Sequence, residues 1–305
     1  MGVGSMSVRE WSLLLFLSVL WGATFIFTGA ALEGFSFLTL AWCRVAISAV
    51  FIWAVALTFK ARLPDERGLG WKLALLSITG NVLPFGFIFW GQREVPGSLA
   101  AILNATTPLF TLVFAHFLTR DEHMTRAKLV GSVVGLSGVV LIIGPAALGH
   151  LGESVTAQLS VVCGSAFYAL SGIVARWLKR IPFLLLAAWQ LTISTIILAP
   201  IVLLFEPPWH APRPDLQAIL GLLGLALLST CVAYIVYYRL VSTAGATNLS
   251  LVGFLAPVSA ILLGILLLDE HLRAIHFAGL AVIAAGLAIV DGRLLRYAAR
   301  RLGRA

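Results

Sequence analysis

The sequence DEHMTRAKLVGSVVGLSGVV at residues 121–140 returns in altered form as DEHLRAIHFAGLAVIAAGLA at residues 269–288. The two stretches align without a gap. Two pairs of glycines occupy matching positions, Gly131 with Gly279 and Gly138 with Gly286. The chain has only thirteen acidic residues, so chance does not account for an Asp-Glu-His triplet that recurs together with the residues that follow it. The pattern indicates an internal duplication.

The composition identifies the solvent that the chain faces. Hydrophobic residues make up 60 % of the sequence, charged residues make up 11 %, and the mean hydropathy is +1.00. A soluble domain could not cover its surface with so few charges, so the bilayer is the expected solvent. Apolar windows of about the length of a membrane-spanning helix occur ten times. These windows cover residues 11–32, 37–59, 73–91, 97–118, 129–148, 156–175, 181–205, 216–238, 245–268 and 274–290.

The duplication extends over most of these windows. LSVLWGATF at residues 17–25 matches LSVVCGSAF at residues 159–167, and LAWCRVAIS at residues 40–48 matches LAAWQLTIS at residues 186–194. We therefore predict an all-α membrane protein with two five-helix repeats, at residues 11–148 and 156–291, and a basic tail at 292–305. Because five is odd, the second repeat must enter the membrane inverted, as in many secondary transporters.

The positive charges predict the orientation of the ten spans. If the N-terminus is cytoplasmic, seventeen of the 21 Lys and Arg residues fall on the cytoplasmic side and three on the other side. This is the positive-inside distribution of a multi-pass protein of the inner (plasma) membrane with both termini in the cytoplasm. The net charge of +8 then anchors the topology beside anionic lipid, and we expect no nucleic-acid partner.

The chain resembles the drug/metabolite transporter superfamily, in particular its ten-helix EamA-type members, over about residues 11–291. Trp21-Gly22, Arg44, Pro108, Pro257 and the glutamates Glu122 and Glu270 carry the resemblance. The chain departs from the family pattern at Cys163, which replaces an expected aromatic residue, and at Gln190, which stands opposite Arg44. The resemblance implies a transporter of small molecules and not an enzyme.

Arg44 is the one formally charged side chain inside any of the ten windows, about seven residues from the outer end of the second. A charge at the centre of a membrane helix costs about 2.5–3.5 kcal/mol on insertion scales. Arg44 could bind a substrate carboxylate or stand at an outer gate. Alternatively, it reaches the membrane surface or bonds to carbonyl groups of a neighbouring helix. We favour the second, structural role, because the resemblance makes Arg44 a general feature of the family.

Other polar and aromatic residues at mid-span are candidates for a substrate cavity. Asn and Gln rarely satisfy themselves at membrane depth, whereas Ser and Thr usually bond to their own helix. The predicted substrate-binding set is Trp21, Thr24, Arg44, Asn81, Asn104, Ser165, Tyr168, Gln190 and Tyr234. Pro108 and Pro257 are expected to interrupt the middle of their helices, as Pro84 does in the third, and the repeat-matched pair to act as hinges. Each aromatic residue could instead be ordinary packing.

The remaining motifs predict structure and set limits on function. The glycine runs from Gly131 and Gly279 favour packing of the fifth predicted span on the tenth over dimerisation, so we expect a monomer. The Asp-Glu-His triplets are expected to cap helices. All thirteen acidic residues lie at or beyond the ends of the predicted spans, so no obvious proton carrier stands at mid-membrane. We expect no cofactor and no metal site.

The sequence therefore predicts a secondary transporter that works by alternating access. Its cavity would be aromatic and lined by amides with little net charge, which favours export of small, largely apolar metabolites such as amino acids. Two alternatives stay open. One is an exporter or importer of amphipathic drug-like compounds, and the other is a membrane enzyme or scaffold that transports nothing.

Overall fold

A computed structural model describes the chain at residues 6–58, 68–91, 94–95, 97–119, 124–143, 151–206, 214–268 and 274–291. All regular structure in these residues is helical. The helices of the first half are α1 (Val8–Leu32), α2 (Phe37–Thr58), α3 (Leu69–Ser77), α4 (Leu83–Gly91), α5 (Gly97–Asn104), α6 (Thr107–Leu118) and α7 (Arg126–Ile143). The helices of the second half are α8 (Val155–Trp177), α9 (Phe183–Phe205), α10 (Leu216–Leu223), α11 (Ala233–Ala244), α12 (Ala246–Ser250), α13 (Val252–Leu268) and α14 (Ala274–Asp291).

Among the described residues, six helices are long and apolar enough to cross a membrane. Their bounds, counted through any π-helical turns, are Val8–Leu32, Phe37–Thr58, Leu69–Ile88, Val155–Trp177, Phe183–Phe205 and Leu216–Ala244. Shorter apolar helices occur within the fourth, ninth and tenth predicted windows. The all-helical membrane architecture is thus confirmed, whereas the count of ten spans stays a prediction.

Two helices are interrupted by π-helical turns that the sequence analysis did not predict. The first π segment is Ile78–Val82, between α3 and α4, and the second π segment is Gly224–Val232, between α10 and α11. A π turn inserts extra residues into the helix, which disturbs the regular hydrogen-bond ladder and often marks a functional site. Both segments fall at mid-window, one in each half of the chain.

The helix of the fourth predicted window is interrupted beside Pro108, as expected. α5 ends at Asn104 and α6 begins at Thr107, which places Pro108 in the first turn of α6. Proline is favoured there, since the first-turn amides have no partner within the helix. Pro84 directly follows the first π segment, within the helix that continues from Leu69 to Ile88. Pro257 does lie within a continuous helix, α13.

Local sequence explains where two helices begin. At the start of α1, the Ser7 hydroxyl accepts from the Glu10 amide at 3.3 Å, and the Glu10 carboxylate accepts from the Ser7 amide at 2.7 Å. This capping box satisfies two amides that lack partners within the helix. At the start of α10, the Asp215 carboxylate accepts from the Ala218 amide at 2.8 Å. The two Asp-Glu-His triplets and the basic tail lie outside the described residues.

Glycines bring α7 and α14 into direct backbone contact, as the sequence predicted. A Cβ atom added at Gly138 would lie 2.8 Å from the Ile283 nitrogen, and one added at Gly286 would lie 2.6 Å from the Gly135 nitrogen. Gly131, earlier in α7, instead meets Val290, later in α14. The two helices therefore run antiparallel, and only glycine allows their backbones to approach so closely.

Helices α2 and α9 form a second antiparallel pair at the centre of the molecule. The Glu206 carboxylate, just after α9, accepts from the Leu38 and Thr39 amides at the start of α2, at 3.0 and 3.2 Å. Towards the other end, the rings of Trp53 and Trp189 meet edge to face with centroids 5.6 Å apart. Around this pair, α1 packs on α13 and α10, while α8 packs on α6 and α4.

Candidate functional site

The predicted site residues of α2, α9, α11 and the first π segment lie close together, beside the second π segment. The charged member of this group is Arg44. Its Nε donates to the Thr230 hydroxyl at 2.6 Å, and its Nη2 donates to the Ser229 carbonyl at 3.4 Å. Both acceptors belong to the second π segment. The Arg44 Cζ atom also lies 5.3 Å from the centroid of the Phe85 ring, within the range of a cation–π interaction.

These contacts combine the two roles considered for Arg44. A neighbouring helix satisfies part of its charge, as expected of a structural arginine. The side chain is nevertheless only partly buried, and among the described residues its Nη1 receives no hydrogen-bond partner. A guanidinium group carries five N–H donors, so Arg44 retains donors that a carboxylate could use.

Asn81 of the first π segment links the two halves of the chain. Its Nδ2 donates to the Ser194 hydroxyl of α9 at 2.7 Å, and its Oδ1 accepts from the Tyr234 hydroxyl of α11. Asn81 is completely buried. Both polar atoms of its amide therefore have protein partners, as burial at this depth requires.

Gln190 of α9 forms a second buried amide. Its Oε1 accepts from the Tyr238 hydroxyl, and its Nε2 approaches the Leu76 carbonyl at 3.4 Å. The Gln190 carbonyl accepts from the Ser77 hydroxyl at 3.1 Å. Gln190, the counterpart of Arg44 in the other repeat, thus binds the residues that precede the first π segment.

Aromatic rings cover one side of this polar group. Tyr234, Tyr237 and Tyr238 of α11 contact one another, with the rings of Tyr237 and Tyr238 nearly perpendicular and 5.1 Å apart. The Trp21 ring of α1 packs on Tyr237 at 5.7 Å. Tyr168 of α8 packs on the same core, and Thr230, which accepts from Arg44, stands one turn before Tyr234. The charged group and the aromatic rings therefore share one region.

Asn104, Ser165 and Thr24 occupy other positions around the centre. The Ser165 hydroxyl of α8 lies 3.1 Å from the Asn104 Oδ1 and 3.0 Å from the Val161 carbonyl, so it ties α8 to the break between α5 and α6. The Thr24 hydroxyl of α1 is buried and finds no hydrogen-bond partner among the described residues. A buried hydroxyl group normally has a partner, so binding of a ligand by Thr24 stays a prediction.

The structure separates the predicted set into two groups. Asn81, Ser165, Gln190 and Tyr234 are buried and bonded to protein groups. The partly exposed members are Trp21, Thr24, Arg44, Asn104 and Tyr168. An apolar groove of about 500 Å³ between α1 and α10 contains none of either group. The buried amides of Asn81 and Gln190 bond to neighbouring helices, and their part in substrate binding stays a prediction.

Sequence reasoning missed two tyrosines and a phenylalanine. Tyr237 and Tyr238 stand three and four positions after Tyr234, so the three side chains share one face of α11. This spacing in the run AYIVYYR at residues 233–239 was the available signal. Phe85, which lies against Arg44, carried no such signal among the many apolar residues of its window.

The site has one formal charge among the described residues, and the acidic groups stand elsewhere. Glu206 and Asp215 are at helix ends, where they bond to backbone amides. The described residues contain no cluster of His, Cys, Asp and Glu able to hold a metal ion. The arrangement suits binding of an anionic or zwitterionic group with an apolar part, through hydrogen bonds and ring contacts.

A family model decides the assignment of this architecture. The model of the EamA-like transporter family matches residues 9–144 and matches again at residues 155–290. The chain belongs to the EamA-like transporter family. It is therefore a membrane transporter, as the resemblance predicted, and the proteins of this family are not enzymes.

Named relatives agree with the family. The chain is 27 % identical over 280 residues to the protein PecM of Dickeya dadantii, a match that covers 89 % of this chain and 88 % of PecM. It is 24 % identical over 278 residues to YedA of Escherichia coli K12, named as an uncharacterized inner membrane transporter, with 91 % and 89 % covered. A crystal structure at 20 % identity matches the fold with a TM-score of 0.79, over 94 % of this chain and 98 % of that one.

Proposed function

We propose that this EamA-like protein is a secondary transporter that moves small, largely apolar metabolites such as amino acids across the inner membrane by alternating access. The observation that carries the substrate class is Arg44, a partly exposed cation with spare donors that lies against the Phe85 ring. The rings of Trp21, Tyr168 and Tyr237 pack in the same core. Arg44 would bind the carboxylate of the substrate, and the rings would contact its apolar part.

The buried polar residues have a different role in this proposal. Asn81, Gln190 and Tyr234 would fix the positions of the π segments, while the partly exposed residues would contact the substrate, namely Trp21, Thr24, Arg44, Asn104 and Tyr168. In a selective site, the side chains that contact the ligand are usually fixed in position by buried residues behind them.

Alternating access would use two inverted five-helix repeats of ten spans. The family model matches twice, once in each half, and both pairs of repeat-matched helices in contact, α2 with α9 and α7 with α14, are antiparallel. Exchanging the halves also turns the contact of α1 with α13 into the contact of α8 with α6. These observations support an inverted repeat with the site between the halves.

Transport of purified protein in liposomes tests this function. Vesicles loaded with an unlabelled neutral amino acid should take up the labelled compound faster than empty vesicles, because only a carrier shows counterflow. Since no acidic residue stands at mid-span, counterflow should persist without a proton gradient. A panel containing amphipathic dyes identifies the drug-like alternative. Absence of saturable flux for every compound would reject the transport mechanism.

A further inference from the structure

Two equivalent pairs of polar residues make contacts across the two halves. The pairs are Arg44 with Ser48 in α2 and Gln190 with Ser194 in α9, which the repeat aligns. Within each pair the residues are four positions apart and share a helix face. Each serine hydroxyl also donates to the backbone carbonyl of the other residue in its pair. Ser48 donates to Arg44 at 2.6 Å, and Ser194 donates to Gln190 at 2.7 Å.

The α2 pair binds the second π segment. The Ser48 hydroxyl lies 2.7 Å from the Ala226 carbonyl, and the Arg44 Nε donates to the Thr230 hydroxyl. Ser48 has one proton and two carbonyl acceptors at similar distances, so it shares this proton between its own helix and the π segment. A π turn offers such an acceptor because its carbonyls leave the regular ladder of the helix.

The α9 pair binds the first π segment and the turn before it through a different arrangement of donors and acceptors. The Asn81 Nδ2 donates to the Ser194 hydroxyl at 2.7 Å, and the Gln190 Nε2 approaches Leu76, two residues before the segment, at 3.4 Å. Ser48 and Ser194 are both completely buried. In each case, therefore, the second helix of one half holds the π segment of the other half.

We propose that Ser48 and Ser194 are equivalent positioning residues, and that the two sets of contacts are latches that close opposite sides of the transporter. The α2 latch comprises Arg44, Ser48 and the second π segment, and the α9 latch comprises Gln190, Ser194 and the first π segment. This inference rests on the transport function proposed above and adds the residues that balance its two open states.

Arg44 and Gln190 lie on opposite sides of the midpoint of the α2 and α9 pair, whereas Ser48 and Ser194 lie near this midpoint. Arg44 and Gln190 are equally far from Phe37 and Phe183, the first residues of their helices. Because α2 and α9 are antiparallel, those first residues lie at opposite ends of the helix pair. Both latches are closed in this structure. Weakening one latch should favour the state that is open on its side, and weakening the other should have the opposite effect.

Repeat-matched reporters make this inference testable. Leu40 and Leu186 each stand one turn before the latch residue of their helix, and both are buried. Each is replaced singly by cysteine in a chain whose three native cysteines, Cys43, Cys163 and Cys231, are changed to alanine. The rate of labelling by a polar maleimide is then measured on purified protein without substrate.

Removal of one hydroxyl group should shift the labelling ratio of the two reporters by about fivefold, since a neutral hydrogen bond contributes roughly that factor to a two-state equilibrium. Ser48→Ala should raise labelling at position 40 and lower it at 186, and Ser194→Ala should do the reverse. The double variant should return to the parent ratio. Ser137→Ala, which removes a hydroxyl that bonds only within α7 at an exposed position, is the matched control and should change nothing.

Three outcomes would overturn the inference. The labelling ratio could shift in the same direction in both single variants, or in neither. The double variant could also have a ratio further from that of the parent than either single variant. General loosening of the structure cannot produce compensation in the double variant. If Ser48→Ala or Ser194→Ala does not fold, Arg44→Gln and Gln190→Leu weaken the same latches and should give the same opposite shifts. Labelling needs no substrate, so this result is independent of counterflow. A protein without flux but with opposite shifts would reject the transport function alone.

Discussion

At the scale of single residues, the centre of the molecule holds one arginine whose charge is only partly satisfied by protein groups. The second π segment accepts two hydrogen bonds from Arg44, and Phe85 lies against its guanidinium group. These contacts lower the cost of keeping a cation within the membrane, while its position among aromatic rings leaves donors for a substrate. The same side chain can thus support the fold and recognise an anionic group.

Arg44→Gln should reduce the counterflow of a substrate that carries a carboxylate by about tenfold or more, because a hydrogen bond to a charged group contributes about 1.5–3 kcal/mol. Arg44→Lys should restore only part of the loss, since an ammonium group cannot reproduce the planar fork of the guanidinium. The measurement is the initial rate against substrate concentration in liposomes. Arg126→Gln, at an exposed position at the start of α7, is the control. Equal rates for Arg44→Gln and the parent would show that Arg44 is structural.

Gly80 tests the packing of the buried Gln190 amide. A Cβ atom at Gly80 would overlap the Gln190 Nε2, so Gly80→Ala should displace this amide from Leu76 and Tyr238. Leaving buried polar groups without partners costs about 1–3 kcal/mol, which should lower the thermal midpoint in detergent. At Gly86, in α4, an added Cβ meets nothing within 4 Å, so Gly86→Ala should be nearly neutral. Equal midpoints for the two variants would contradict the described position of Gln190.

At the scale of helices, the sequence predicted the regular parts better than the irregular ones. Apolar windows and repeated glycines mark long helices and close contacts, and the structure has both. The π segments could not be predicted, because an inserted turn depends on contacts with other helices, such as Arg44 with Thr230, that no local pattern records. For the same reason Asn81 was recognised as a polar residue at depth, but its partners Ser194 and Tyr234 were not.

The contact between α7 and α14 should depend on Gly286. Gly286→Ala places a methyl group 2.6 Å from the Gly135 nitrogen and 2.7 Å from the Gly131 carbonyl oxygen, so the two helices must separate. Overpacking of this kind costs about 1–3 kcal/mol, which a lower thermal midpoint should reveal. Gly29→Ala in α1 adds a methyl group where nothing lies within 4 Å and serves as the control. An unchanged midpoint for Gly286→Ala would reject the close approach.

The hinges proposed for Pro108 and Pro257 differ in their surroundings. Pro108 begins α6 beside Gly253, whose added Cβ would lie 3.6 Å from the proline ring, whereas Pro257 lies within α13. Pro257→Ala restores a possible helix hydrogen bond of about 1 kcal/mol and should slow counterflow several-fold with normal expression. Pro108→Ala restores no such bond at a first turn and should have the smaller effect. If neither variant slows counterflow, the two prolines contribute to packing and are not hinges.

At the scale of the whole molecule, the two halves interlock through antiparallel pairs. The charge distribution predicts that both termini are cytoplasmic, with seventeen Lys and Arg residues on that side and three on the other. A reporter fused after Ala305 should therefore behave as cytoplasmic, and one inserted near Trp209 as periplasmic. Reporter activity in whole cells measures this. Opposite results at both sites would reject the orientation, and equal results would reject the inverted repeat.

The glycine contact of α7 with α14 also bears on how a chain of this design can arise. In the proposed inverted repeat each of these helices is the counterpart of the other, so the surface that α7 presents to α14 closely resembles the surface that α14 presents to α7. Such a surface is self-complementary, as at the interface of a two-fold dimer. A half-length chain able to insert in both orientations would already carry both sides of this contact. Fusion of two copies of such a gene would then join the halves without requiring a new interface. After fusion, a mutation on one helix would restrict which residues are tolerated on the other, as it does between paired subunits.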